Sequence, residues 1–351
     1  MAITTGTHDI QTLLAARHTS AAEFGLDTIQ QVLMADVEAH NMIVSDMVGT
    51  MCEVSTDRQR IYGTSANGDM VEVDEYGRGP TQRALPGATV GFPLKKFQFP
   101  IGWTEEWLLE HTPADMASAV ENAKKAHLRQ IQKQIKTAVY LSSNYSVNDH
   151  LKDNIALNIK RFVNADSADI PNGPQGQTFD GSTHTHYDAT ATLVNGDVSA
   201  LTLDVIEHGH GNNVRIAINS ADESTWKALT DFKAYEDPRI VFRNTDTPGQ
   251  TLDITKSDNR AIGIIHSAEV WVKPWGIANY AFCWDAEGDK PLVFRQREST
   301  TLQGLRIAAE HSTHPLTAQF MEASFGIGVW NRTNGAVLYF GGGSYTDPTI
   351  S

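Results

Sequence analysis

The chain has 351 residues, 40% of them hydrophobic and 20% charged, enough for roughly two or three compact units around a sizeable core. A formal net charge of −14 argues against a compact nucleic-acid reader, which would be basic, but not against a protein that only encloses DNA. Cys52 and Cys283 are too few for a disulfide framework and lack CxxC spacing, no apolar run is long enough to span a membrane, and the polar start Met1 to Asp9 is unlike a signal peptide.

Residues 1–20 read as a loosely structured arm. From Ala21 to about Val48 a helical period runs through Phe24, Leu26, Ile29, Val32, Leu33, Val37, Ile43, Val44 and Met47. So broad an apolar face must be covered by something. No partner helix lies nearby in sequence, so a neighbouring subunit is a candidate cover. Residues 50–91 change character. Strand-like pieces around Met51–Val54 and Met70–Val73 are separated by Arg58, Arg60 and the hairpin signal Asn67-Gly68. Gly77, Gly79, Pro80, Pro86 and Gly87 follow. An excursion of about forty residues with so little apolar content cannot make its own core. An extended hairpin arm reaching a partner subunit accounts for it; a surface loop is the plainer alternative.

Residues 91–104 alternate and carry aromatics, as a strand does. Between Ala114 and Tyr140 there is neither glycine nor proline, and Met116, Val120, Ala123, Ile131, Ile135 and Val139 recur at helical spacing, with His127 or Leu128 filling the gap. Thr112 is a reasonable N-cap and Pro113 suits a first turn. About 27 helical residues rise roughly 40 Å, long for a globular helix. Ile155, Leu157, Ile159 and Phe162 predict a strand, and residues 166–196 a long loop. A helix is expected from Asp197 to before Gly209, a strand over Val214–Asn219, and a helix from Ser220 through Trp226 and Leu229. Strands are expected at Ile262–Val272, Asn279–Trp284 and Pro291–Arg297. Residues 301–317 give no clear pattern. Ala318–Trp330 is long and strand-like, Asn331 to Gly335 a turn, and Ala336–Phe340 its return.

No catalytic constellation stands out. His184 and His186, and His208 and His210, form two His-X-His pairs, but neither belongs to a specific metal signature, and a complete site needs a third ligand and an ordered surround. They are read as loop histidines. Gly326-Ile327-Gly328 and Gly341 to Gly343 lack the lysine of a phosphate loop. Glu105-Glu106 and Asp74-Glu75 read as solvated faces, and Trp103, Trp107, Trp271, Trp275 and Trp330 as packing anchors. No catalytic, cofactor-binding or metal residue is assigned.

The serial order of arm, unburied hairpin, long helix, compact α/β insertion and terminal strands resembles the HK97-fold major capsid proteins of tailed bacteriophages, from about Ala21 to Phe340. The resemblance implies an α+β fold with an N-terminal arm (1–48) and an extended β-hairpin E-loop (49–98). It further implies a P-domain with a spine helix at about 114–140 and a loop insertion (99–196), an A-domain (197–317), and a return hairpin of the P-domain with the C-terminus (318–351). It implies a structural protein that assembles with itself into hexamers and pentamers of an icosahedral head around double-stranded DNA. Such a protein is found in the virion, is assembled in the host cytoplasm and has no membrane contact. The resemblance also implies portal and cement proteins as candidate partners, and a separate scaffolding protein is expected because the first helix begins only about twenty residues into the chain. Some members join an E-loop lysine to a neighbour's asparagine with help from a glutamate. Here Lys95 and Lys96 sit at the loop base, Glu322 falls near a glutamate position, and no asparagine stands in His314–Phe320, so no cross-link is expected. The expected subunit interface comprises Phe24, Ile29, Leu33 and Val37 on the first helix and Arg58, Arg60, Asn67 and Gly68 on the hairpin. Two rivals remain: an encapsulin-like nanocompartment shell, and a metal-dependent enzyme built on the histidine pairs.

Overall fold

The computed structural model describes residues 9–62, 70–79, 81, 87–163, 165–235 and 259–350. The arm is more ordered than its sequence suggests. Asp9 and Thr12 form a capping box that starts α1 (Ile10–Ala15), and Leu13 of that helix is buried. The next helix is broken in two. α2 (Ala21–Phe24) and α3 (Leu26–Gly49) meet at Gly25, whose φ of 102° is a conformation that favours glycine. Ile29, Val32, Leu33, Val37, Val44 and Val48 of α3 are buried within the chain itself.

Two edge strands follow, β1 (Cys52–Ser55) and β2 (Gln59–Tyr62). β2 pairs antiparallel with β3 (Ala88–Gly91) as a two-stranded ribbon. Met70–Val73, expected as a strand, has no strand conformation. β4 (Lys95–Thr104) leads through α4 (Glu105–Glu110) into α5 (Pro113–Tyr140). Thr112 and Asp115 box the start of α5 and Pro113 occupies its first turn, as the sequence predicts. Its 28 residues rise about 42 Å. The gap in its apolar stripe is filled by His127, buried against His40 of α3 with Nδ1 3.1 Å from His40 Nε2.

β5 (Tyr145–Asn148) and β6 (Ala156–Ile159) form a second ribbon. After the 165–186 segment come β7 (Tyr187–Ala189), α6 (Asn195–Ile206) and β8 (Val214–Ile218). α7 (Glu223–Lys227) precedes the short β9 (Lys233–Ala234). The single run expected over 262–272 is a hairpin of β10 (Arg260–Ile265) and β11 (Ala268–Val272). His266 and Ser267 turn it at positive φ, a backbone signal that apolar patterning does not carry. β12 (Tyr280–Asp285) and β13 (Leu292–Gln296) lie where expected. The unclear stretch holds β14 (Leu305–Thr313), and the chain ends on β15 (Leu316–Val329) and β16 (Ala336–Tyr339).

Among the described residues these strands make two large sheets. In the five-stranded sheet β15 pairs with β13, β14 and β4, and β1 joins parallel to β13. α3 and α5 pack on this sheet. The seven-stranded sheet runs β7-β16-β12-β8-β11-β10-β9. It carries its own core, where Val198, Leu201 and Val205 of α6 meet Ile216, Val270, Ala281 and Leu338. Two expectations fail here. β15 and β16 do not form a return hairpin; Asn331 to Gly335 carries the chain from one sheet to the other. Nor do residues 197–317 coincide with one sheet, because β13 and β14 pair with β15.

Gly326 and Gly328 have a packing reason. A Cβ on Gly326 would stand 2.1 Å from the Pro93 carbonyl oxygen, and one on Gly328 2.9 Å from the Phe92 ring. β15 is bare at these points so that residues 91–94 can cross it. Gly326→Ala should therefore cost on the order of 1–3 kcal/mol in urea denaturation, whereas Gly49→Ala, with open space around the added methyl, should cost nothing. Burial also holds the His127 imidazole at about 4, below its ordinary 6.5, and nearby His40 is lowered too, by burial and Lys124. The unfolded chain then takes up the proton first, so this stability is full above 6.5 and is lost as pH falls toward 4. We expect the His127 contribution to fall by about 2 kcal/mol between pH 7 and pH 5, and His127→Leu to flatten that slope in urea titrations.

Candidate functional site

The β2–β3 ribbon is the root of the 63–87 excursion, and two arginines fix it. Arg60 forks onto Glu53 at 2.7 and 2.8 Å, donates from Nε to Asp57 at 2.7 Å, and lies 5.2 Å over the Trp330 ring. Its hydrogen bonds hold both carboxyls below their ordinary range, against the opposing effect of burial. Arg58 pairs with Asp153 at 2.6 Å. Within this chain both arginines, the residues expected at a neighbour, pair with carboxylates at the ribbon's base. Asn67 and Gly68 lie outside the described residues.

The helix residues expected at an interface are likewise used internally. Ile29, Leu33 and Val37 are buried and Phe24 is half-buried, packed on the first core. That core joins α3 to its sequence neighbours α1 and β1 and to the distant α5 and β14, which sequence proximity could not reveal. The apolar residues that α3 does expose are Met34 at 59%, Met42 at 68% and Ile43 at 66%. Their sequence signal was the unusual breadth of the apolar pattern, more than one face can bury.

Glu322 projects from β15 between neighbouring strands. Its carboxylate meets Lys96 at 2.6 Å, Gln98 at 3.0 Å and Arg306 at 3.2 Å. Burial pushes its pKa up, but Lys96, Gln98 and Arg306 outweigh that and hold the carboxyl below its ordinary value.

Three of the four paired histidines converge. His184 and His186 come from the segment before β7, and His208 from the turn after α6. Their Nε2 atoms form a triangle with edges of 3.0, 3.1 and 3.1 Å. His186 is fully buried and its Nδ1 donates to the Gly335 carbonyl at 2.7 Å. Burial pushes His186 down to about 3 and His208 to about 2, so both are neutral at ordinary pH. His210 turns away to Thr333, 3.0 Å from its Oγ1. These histidines do lie in loops, as read, but His184, His186 and His208 are not separate: they face one another across the two pairs, and the side chains of His186 and His208 are inside the protein.

The long α5, the rooted ribbon and the two sheets, between which the chain passes three times, make an HK97-like α+β fold. The structure is similar to a chain from Mycobacterium phage Patience, with a TM-score of 0.67 and 18% identity, over 99% of this chain and 96% of that one. The capsid of a native GTA particle, computed with C5 symmetry, is similar at a TM-score of 0.49 and 13% identity, over 84% of this chain and 90% of that one. The holo-SrpI encapsulin complex of Synechococcus elongatus gives 0.44 and 8%, over 84% and 86%. No protein-family model matches the sequence, and no curated protein does.

Arg60 supplies the test of the ribbon's root. A lysine cannot reproduce its fork. Arg60→Lys should therefore lose on the order of 1 kcal/mol in chemical denaturation, close to the loss in Arg60→Ala.

Proposed function

We propose that this chain is a major capsid protein that assembles with itself into hexamers and pentamers of an icosahedral phage head around double-stranded DNA. The observation that carries the reading is the likeness of fold over nearly the whole of both chains to a chain from Mycobacterium phage Patience. The acidic balance supports it as well. A net charge of −14 suits a wall that contains DNA without gripping it. No helix among the described residues is long and apolar enough to cross a membrane, which agrees with a place in the virion. Scaffolding, portal and cement proteins would be separate chains, and assembly would take place in the host cytoplasm. The exposed Met34, Met42 and Ile43 of α3 are the apolar positions this reading assigns to subunit contacts.

Cryo-electron microscopy of the full-length chain, expressed alone and with candidate scaffolds, tests the proposal. Closed icosahedral shells are expected, and a DNA content and diameter of a phage head separate them from a cargo-filled nanocompartment. A chain that stays monomeric at high concentration with a suitable scaffold overturns it. In the same preparations Ala126→Pro, which breaks α5 near its middle at about 3 kcal/mol or more, should abolish shells; normal shells would refute the role of α5 as the spine.

A further inference from the structure

We propose that His184, His186 and His208, with Glu207 beside them, bind one divalent first-row transition-metal ion, and that this ion fastens the 165–186 segment and α6 to the crossover between the two sheets. The argument begins with a count of protons. His186 uses Nδ1 as its donor to Gly335, so its Nε2 carries a lone pair. That lone pair faces two more Nε2 atoms at hydrogen-bond distance. A single proton can serve one edge of such a triangle, and the remaining lone pairs then oppose one another. One cation seated over the triangle satisfies all three nitrogens at once.

The dimensions fit an ion. Three imidazoles on one face of an octahedron, at metal–nitrogen distances of about 2.1–2.2 Å, stand about 3.0–3.1 Å apart; a tetrahedral zinc site at about 2.0–2.1 Å spreads them to about 3.3–3.4 Å. The observed edges of 3.0 to 3.1 Å match the first and need to open by about 0.3 Å for the second. Glu207 Oε1 lies 3.6 Å from His184 Nε2 and 3.9 Å from His208 Nε2, one side-chain rotation from joining them. The donor set of imidazoles and one carboxylate suits zinc, iron, cobalt or nickel and disfavours calcium and magnesium.

The surroundings are those of a built site. The Nδ1–H···O bond from His186 to a backbone carbonyl is the outer support that fixes a ligating imidazole. Phe179 covers the cluster, its ring centroid 4.8 Å from that of His184 and 4.1 Å from that of His208. Gly335 closes the crossover turn, and the next residue but one, Val337, donates its backbone N–H to the His186 carbonyl at 2.8 Å. An ion here would link the end of α6, the lead-in to β7 and the root of β16. Its role is a structural tie, and it stands whether or not the shell reading does.

The test uses untagged full-length protein stripped with EDTA, loaded with zinc, desalted and analysed by mass spectrometry. About one equivalent should remain on the wild type and on His210→Ala, and less than about a tenth of that on the His184→Ala/His208→Ala double variant. Zinc should also raise the melting temperature of the stripped wild type by several degrees and leave the double variant unmoved. Cobalt(II) provides a readout that needs no variant, because visible ligand-field bands on the wild type report imidazole coordination. Absence of both retained zinc and cobalt bands on folded wild type, or equal retention by the double variant, overturns the proposal.

Discussion

The two halves of this fold depend on one buried cation. Arg332 sits in the crossover between the sheets with no exposure to solvent. Its Nε donates to the Arg161 carbonyl at 2.7 Å, one terminal nitrogen donates to the Val163 carbonyl and meets Asp166 at 3.1 Å, and its plane lies 5.5 Å from the Tyr62 ring. A guanidinium taken wholly out of water is costly unless acceptors surround it. All three acceptors come from the 161–166 segment and the ring from the end of β2, so the charge is buried only when the crossover, that segment and the β2–β3 ribbon are together. Asn334 completes the junction by exchanging hydrogen bonds with the Asp285 backbone at 2.7 and 3.0 Å, which extends the β12–β16 pairing by a side chain.

What the sequence made legible follows the range of the forces involved. The spine helix could be read because its stripe, its capping box and its first-turn proline are all local. The crossover could not. Five residues rich in Asn and Gly between two apolar strands are a hairpin signal, and only pairing with β12 and β7 sends β16 elsewhere. The first helix shows the same limit. Its amphipathic pattern stated that it must be covered, but not that β14, some 270 residues further on, would help to cover it. The histidine triangle joins two pairs more than twenty residues apart, and it closes only because α6 folds back along β16.

Packing accounts for residues to which the sequence pattern gave no role. Gly326 and Gly328 are there for the crossing of residues 91–94. Cys52 and Cys283 are both buried, with burial pushing their thiols up, so each behaves as a small apolar side chain. Arg58 and Arg60 hold the base of the β2–β3 ribbon to the body of the chain.

The length of α5 has a geometric consequence. A straight rod of 28 residues is a lever of about 42 Å, and tilting it by about 5° moves its far end by about 4 Å. On the proposed assembly into rings of five and six, a lever gripped along its length by β15 and α1 would let the subunit pivot as a body between the two, with its cores unchanged.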